Sequence, residues 1–150
     1  MTRATQLTVA ECRALLETGV VGRVAMATPV GPRIAPVNYV VHEDAIVFRT
    51  APYSELSTYG WNVDLAFEID RLDPDARLGW SVVALGRAHV VDDPDDVQRI
   101  RRTGDPEPWA AGPRHLYVRL VWRQLTGVRL EHPGSRPAPT GRPVSEYAGP

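Results

Sequence analysis

The residues with most to offer chemically lie in the run Phe48-Arg49-Thr50-Ala51-Pro52-Tyr53-Ser54-Glu55-Leu56, where a β-like stretch ends in Arg-Thr and a helical turn begins after a proline. A guanidinium at a strand end, the hydroxyls of Thr50 and Ser54, and the free N–H groups of a helix start can converge on one phosphate. The bonds they make there are charge-assisted and bidentate. Taken alone, the run reads more readily as a solvated Arg49 and a plain helix-capping Ser54. A second place is Pro36-Val37-Asn38-Tyr39, since a proline inside a strand removes a ladder donor and marks a sheet edge, a bulge or backbone turned toward a ligand. A third is Gly79-Trp80-Ser81-Val82, where a tryptophan opening a strand beside a hydroxyl either packs in the core or flanks a cofactor.

Other chemistries find little support. His42, His89, His115 and His132 are spread singly, without H-x-x-x-H or C-x-x-C spacing, and Cys12 is the one cysteine, so no metal site is expected. His42 reads as a turn residue. None of Ser54, Ser57, Ser81, Ser135 and Ser145 sits in a G-x-S-x-G turn, which argues against a serine hydrolase. All 17 basic residues are arginine, which removes a lysine Schiff base, a lysine nucleophile and a phosphate loop of the GK[ST] type. With 18 acidic residues the net charge is −1, and no block of like charge points to nucleic acid or an anionic membrane. Small molecules and other protein chains are the expected partners. The opening MTRATQLTVAECRALLETG carries Glu11, Arg13 and Glu17, and the sequence has no long uninterrupted apolar run. Neither a signal peptide nor a membrane span is expected, and a reducing cytoplasmic setting fits the single cysteine.

The elements that must position these residues follow from periodicity. Thr8 and Glu11 form a capping-box pair ahead of Val9, Cys12, Leu15 and Leu16, which predicts a helix over 8–18 closed by Gly19. From Gly22 the pattern turns to β: GRVAMAT, RIAPVNYVV and AIVFRT, joined by PVGP and HED, read as three antiparallel strands. Val63, Leu65, Phe67 and Ile69 alternate with polar residues and predict a half-buried strand. After a polar loop, RLDPDARLG, comes WSVVALGRAHVV, whose Gly86 suits a bulge where a sheet curls. Asp93 and Pro94 predict the cap and first residue of a helix over 95–102. The loop GDPEPWAAGPR is rich in Pro and Gly yet holds Trp109, an aromatic that calls for a cover. HLYVRLVWR and QLTGVRL read as the closing strands. Residues 132–150, with five Pro and three Gly, read as a tail without a core of its own, leaving 1–131 as the domain. A succession of β runs with two or three short helices and no G-x-G-x-x-G excludes a doubly wound sheet and favours a small antiparallel barrel of mainly β, α+β class.

In this order, the segments VGRVAMAT, PVNYVV, IVFRT, GWSVVALGRAHVV and PWAAGPRHLYVRL with LTGVRL resemble one family: the FMN-binding split barrels related to pyridoxamine 5′-phosphate oxidase, in their small, single-domain actinobacterial style. The resemblance covers 7–130. It implies a six-stranded antiparallel split barrel that forms a homodimer with two FMN sites between the subunits, and flavin-dependent oxidoreductase chemistry on an unnamed small-molecule substrate. Carried onto this chain, it implies that Arg49 and Thr50 hold the FMN phosphate, with Ser54 and Glu55 beside them. Pro36, Val37 and Asn38 border the flavin and its ribityl chain, Trp80 and Ser81 flank the site, and Trp109 is offered from the other subunit.

Two departures from the family pattern stand out. Where the family usually continues the strand with a glycine and then a lysine on the phosphate, this chain has Tyr53 and Glu55, and a carboxylate there repels a phosphate unless it turns away. The C-terminal extension with which pyridoxamine phosphate oxidases grip their substrate has no counterpart, so that activity is not expected. The same fold with the deazaflavin F420 is the alternative, its acidic tail calling for Arg23, Arg33 or Arg87. A non-catalytic module holding flavin or haem is the other, haem needing His89 or His115 as axial ligand.

Overall fold

The computed structural model describes residues 1–134. Thr8 caps the first helix as its sequence predicts: its hydroxyl accepts from the Glu11 N–H while the Glu11 carboxylate accepts from the Thr8 N–H at 2.8 Å. This helix, α1 (Val9–Leu16), is shorter than expected and ends at Glu17. Gly19 is not a left-handed terminator. It is small because a Cβ there would collide with the Tyr39 hydroxyl, which donates to the Leu16 carbonyl at 2.6 Å.

Seven strands form one antiparallel sheet: β1 (Arg3–Gln6), β2 (Val21–Thr28), β3 (Gly31–His42), β4 (Ala45–Thr50), β5 (Asp64–Asp73), β6 (Leu78–Val91) and β7 (Leu116–Glu131). Their order is β1-β7-β4-β3-β2-β5-β6, and β6 pairs back onto β7. Six strands therefore close a ring, as the resemblance implies, and the sheet has seven because β1 adds to β7 outside the ring. Two further expectations change. The closing runs are one 16-residue strand, β7, and the expected polar loop RLDPDARLG is partly ladder, with Arg71 to Asp73 paired to Trp80 to Leu78. The side chains of Arg71, Leu72 and Asp73 are exposed, so apolar alternation gives no sign of this part of the strand. His42 closes β3 and is buried, its Nδ1 3.0 Å from the Thr103 hydroxyl, so it is no turn residue.

Gly86 marks the expected bend. The β6–β7 register shifts between Leu85 and Gly86, and a Cβ on Gly86 would strike the Val121 carbonyl. The ring encloses Val24, Tyr39, Ile46, Phe48, Leu65, Phe67, Ile69, Val82, Ala84 and Leu120, and α1 plugs one side with Cys12 and Leu16. Phe67 meets Tyr39 edge to face at 4.7 Å, a favoured aromatic geometry. Two more helices follow β4 and β6: α2 (Glu55–Tyr59), capped by Ser54, and α3 (Pro94–Thr103), capped by Asp93 as its sequence predicts. Among the described residues no helix is long and apolar enough to cross a membrane. Residues 135–150, most of the segment read as a tail, lie outside the described residues.

Candidate functional site

The ring is split where β3 runs out of partners. Residues 31–38 of β3 pair with β2, but only Tyr39 to His42 pair with β4, so the first half of β3 presents an open edge. Pro36 sits in that half, where a missing N–H costs no second ladder. Between this edge, the end of β4, α2 and the 104–115 loop lies a cleft of about 290 Å³. Pro36, Val37, Asn38, Arg49, Thr50, Ser54 and Glu55 all line it, so two of the three places singled out in sequence meet in space.

Strand β4 is buried along its length, which fixes Arg49 and Thr50 at its end as rigid parts of the cleft wall. Arg49 is 20% exposed; its Nε donates to the Arg114 carbonyl at 2.7 Å and its Nη1 to Asp105 Oδ2 at 3.4 Å. Thr50 Oγ1 lies 2.9 Å from Ser54 Oγ, which also accepts the Ser57 N–H at 3.0 Å and donates to the Ala51 carbonyl at 2.9 Å. Ser54 thus is the helix cap of the plainer reading and a cleft hydroxyl at once. Tyr53 precedes it with φ 62°, the left-handed region that glycine favours.

Asn38 forms the opposite wall. Its Oδ1 accepts the Trp109 N–H at 3.0 Å, while its Nδ2 is buried without a hydrogen-bond partner. A buried amide donor left unmatched is costly unless something supplies an acceptor. Glu55 lines the cleft, and its Oε1 lies 3.4 Å from Nε of Arg33, which does not line it, so the carboxylate is partly neutralised.

The remaining predicted residues lie elsewhere in a single chain. Trp80 and Ser81 pair with Arg71 and Asp70 on β5 and with Arg129 and Val128 on β7; Trp80 packs on the core beside a separate open groove with Leu72 and Pro74. Trp109 belongs to the loop that borders the cleft, yet the residue is 76% exposed. Arg23 pairs with Glu68 at 2.8 Å and Arg87 lies 4.0 Å from Asp64, and Arg33, itself outside the cleft lining, pairs with the cleft residue Glu55. His89 and His115 are exposed and do not line it. No group of three or more His, Cys, Asp or Glu side chains placed for a metal ion occurs among the described residues.

Sequence reasoning missed Met26, Pro108, Ala110 and Arg114 in the cleft, and Asp105 and Tyr117 behind Arg49. The signal for the loop residues was the tryptophan-bearing run GDPEPWAAGPR; nothing in spacing singles out Asp105 or Tyr117.

The chain is a small split antiparallel barrel with an arginine and two hydroxyls at its open seam. The family described as pyridoxamine 5′-phosphate oxidase matches residues 8–129, and the chain belongs to it. It is 34% identical over 114 residues to an uncharacterised protein of Mycobacterium tuberculosis, covering 73% of this chain and 74% of that one. Among solved structures it resembles the FAD binding protein from Mycobacterium smegmatis, with 31% identity, TM-score 0.72, and coverage of 85% of this chain and 99% of the other. A conserved protein of unknown function from Corynebacterium diphtheriae is similar at 31% identity and TM-score 0.70, covering 84% and 97%.

Proposed function

We propose that the chain binds a flavin nucleotide, with Arg49 and the Thr50 and Ser54 hydroxyls on the phosphate and Asn38 toward the flavin, and serves as a flavin-dependent oxidoreductase. The observation that carries this reading is the set of donors in one cleft: Arg49 Nη2 makes no hydrogen bond among the described residues, and Asn38 Nδ2 is buried and unmatched. An anion at one end and a ring acceptor at the other would match both. FMN and FAD share the riboflavin 5′-phosphate unit, so the anchor serves either; FMN is the form proposed here. The FAD binding protein from Mycobacterium smegmatis supports a flavin in this fold at 31% identity. When bound, a flavin supplies hydride or electron transfer, while the protein supplies binding and electrostatics. Glu55, held toward Arg33, is not placed as a general acid or base.

We further propose a homodimer. A cleft of about 290 Å³ sits at the lower edge of the roughly 300–1,000 Å³ of small-molecule sites, too small to enclose a flavin nucleotide alone. The exposed Trp109 on the cleft-bordering loop is the natural surface for a second copy. That copy is also the route by which Trp80 and Ser81 would flank the site. The visible absorbance spectrum of the purified protein, followed by the mass of any released ligand, tests the reading. A flavin spectrum with FMN or FAD mass is expected; a deazaflavin or haem spectrum, or a colourless protein that takes up no added flavin, contradicts it.

A further inference from the structure

Arg49 is gripped from behind by groups that the ligand reading does not use. Besides its bonds to the Arg114 carbonyl and Asp105, its guanidinium lies over the Tyr117 ring, 5.1 Å from the centroid. Asp105 is itself fixed, since its Oδ1 accepts from the Tyr117 hydroxyl at 2.9 Å. That hydroxyl in turn accepts from Arg101 Nε at 3.0 Å. Tyr117 is buried and packs with Val47 and Ile100, so the chain of contacts is anchored in a small core of its own between β4, β7 and α3.

We propose that Asp105, clamped by the Tyr117 hydroxyl, is the positioning residue for Arg49: it takes up Nη1, the Arg114 carbonyl takes up Nε, and Nη2 is left to meet the ligand's phosphate. The inference rests on the flavin-phosphate reading above. An arginine on a bare strand end must surrender rotamer freedom when it meets an anion, whereas one already fixed in a fork does not. A carboxylate near a phosphate also repels it. Here Arg49 bonds one oxygen of Asp105, the Tyr117 hydroxyl bonds the other, and Arg101 bonds that hydroxyl, so the carboxylate is engaged on both oxygens rather than free to face the phosphate.

Titration of FMN and of riboflavin against the full chain separates the possibilities, using Tyr117→Phe, which keeps the ring and removes the clamp, and Asp105→Asn, which keeps the shape and removes the charge. Each is expected to weaken FMN by about 3- to 10-fold, the value of one hydrogen bond, while riboflavin affinity stays unchanged. Unchanged FMN affinity in both variants, or tighter FMN in Asp105→Asn, would overturn the proposal; the second result would show that the carboxylate competes with the phosphate. Equal losses of FMN and riboflavin would overturn it too, by showing a role in folding alone. If the parent does not distinguish FMN from riboflavin, the phosphate reading and this inference fall together; if the parent distinguishes them and both variants do so equally well, only the inference falls.

Discussion

Glu55, in the cleft lining, forms an ion pair with Arg33, with both side chains about half exposed. Screening at such a site leaves a contribution of about 1 kcal/mol or less, so Glu55 tempers the site without closing it to a phosphate. Glu55→Lys is expected to tighten FMN by about 1 kcal/mol at low salt, to lose most of that gain at high salt, and to leave riboflavin unchanged. Fluorescence quenching titrations at two ionic strengths check this, and no change at low salt would remove position 55 from the phosphate. Asn38→Ala deletes the buried donor at the other wall and is expected to weaken FMN and riboflavin alike by about 1 kcal/mol. At this scale the sequence was most legible where residues are contiguous: Arg49, Thr50, Ser54 and Glu55 reach one cleft because a strand end and a helix start are adjacent. Asp105 and Arg114 arrive from a loop far along the chain, and no local pattern records that approach.

Helix α1 owes its start to the box made by Thr8 and Glu11, and Thr8→Ala is expected to cost about 1 kcal/mol in urea unfolding. The hydrogen bond from the Thr8 N–H, helped by its hydroxyl and by Arg129, holds the Glu11 carboxyl below its ordinary value. A carboxylate so depressed contributes stability above its unfolded value and loses that contribution as pH falls through the folded one. Thermal midpoints should therefore fall in acid, and Glu11→Gln should flatten part of that fall; an identical acid profile would contradict it. Gly86→Ala forces a methyl against the Val121 carbonyl and is expected to destabilise by about 1–3 kcal/mol, measured in the same unfolding experiment. Elements with apolar periodicity or caps, such as α3 and the Leu65-Phe67-Ile69 face of β5, were readable for those reasons. β1 was not, because RATQ has no apolar alternation and exists as a strand through its register on Val128 to Glu131.

At the scale of the molecule, β6 pairing on β7 closes the ring, and the β runs imply that closure only once their lengths allow a barrel. The split is less legible, because it depends on β3 dividing its partners between β2 and β4, a matter of register with no signature beyond Pro36. The proposed dimer predicts a light-scattering mass of twice the 16.6 kDa chain at micromolar concentration. A single-chain mass independent of concentration would contradict it and would leave Trp109 uncovered. The central claim is that the cleft recognises a flavin through its phosphate at Arg49. Parallel titration of FMN and riboflavin into the parent and Arg49→Ala tests it most directly. The parent should prefer FMN by about 1.5–3 kcal/mol, the value of a hydrogen bond to a charged group, and Arg49→Ala should erase that preference while binding riboflavin as before. Equal losses of both ligands, or a preference for FMN that survives without Arg49, would contradict it.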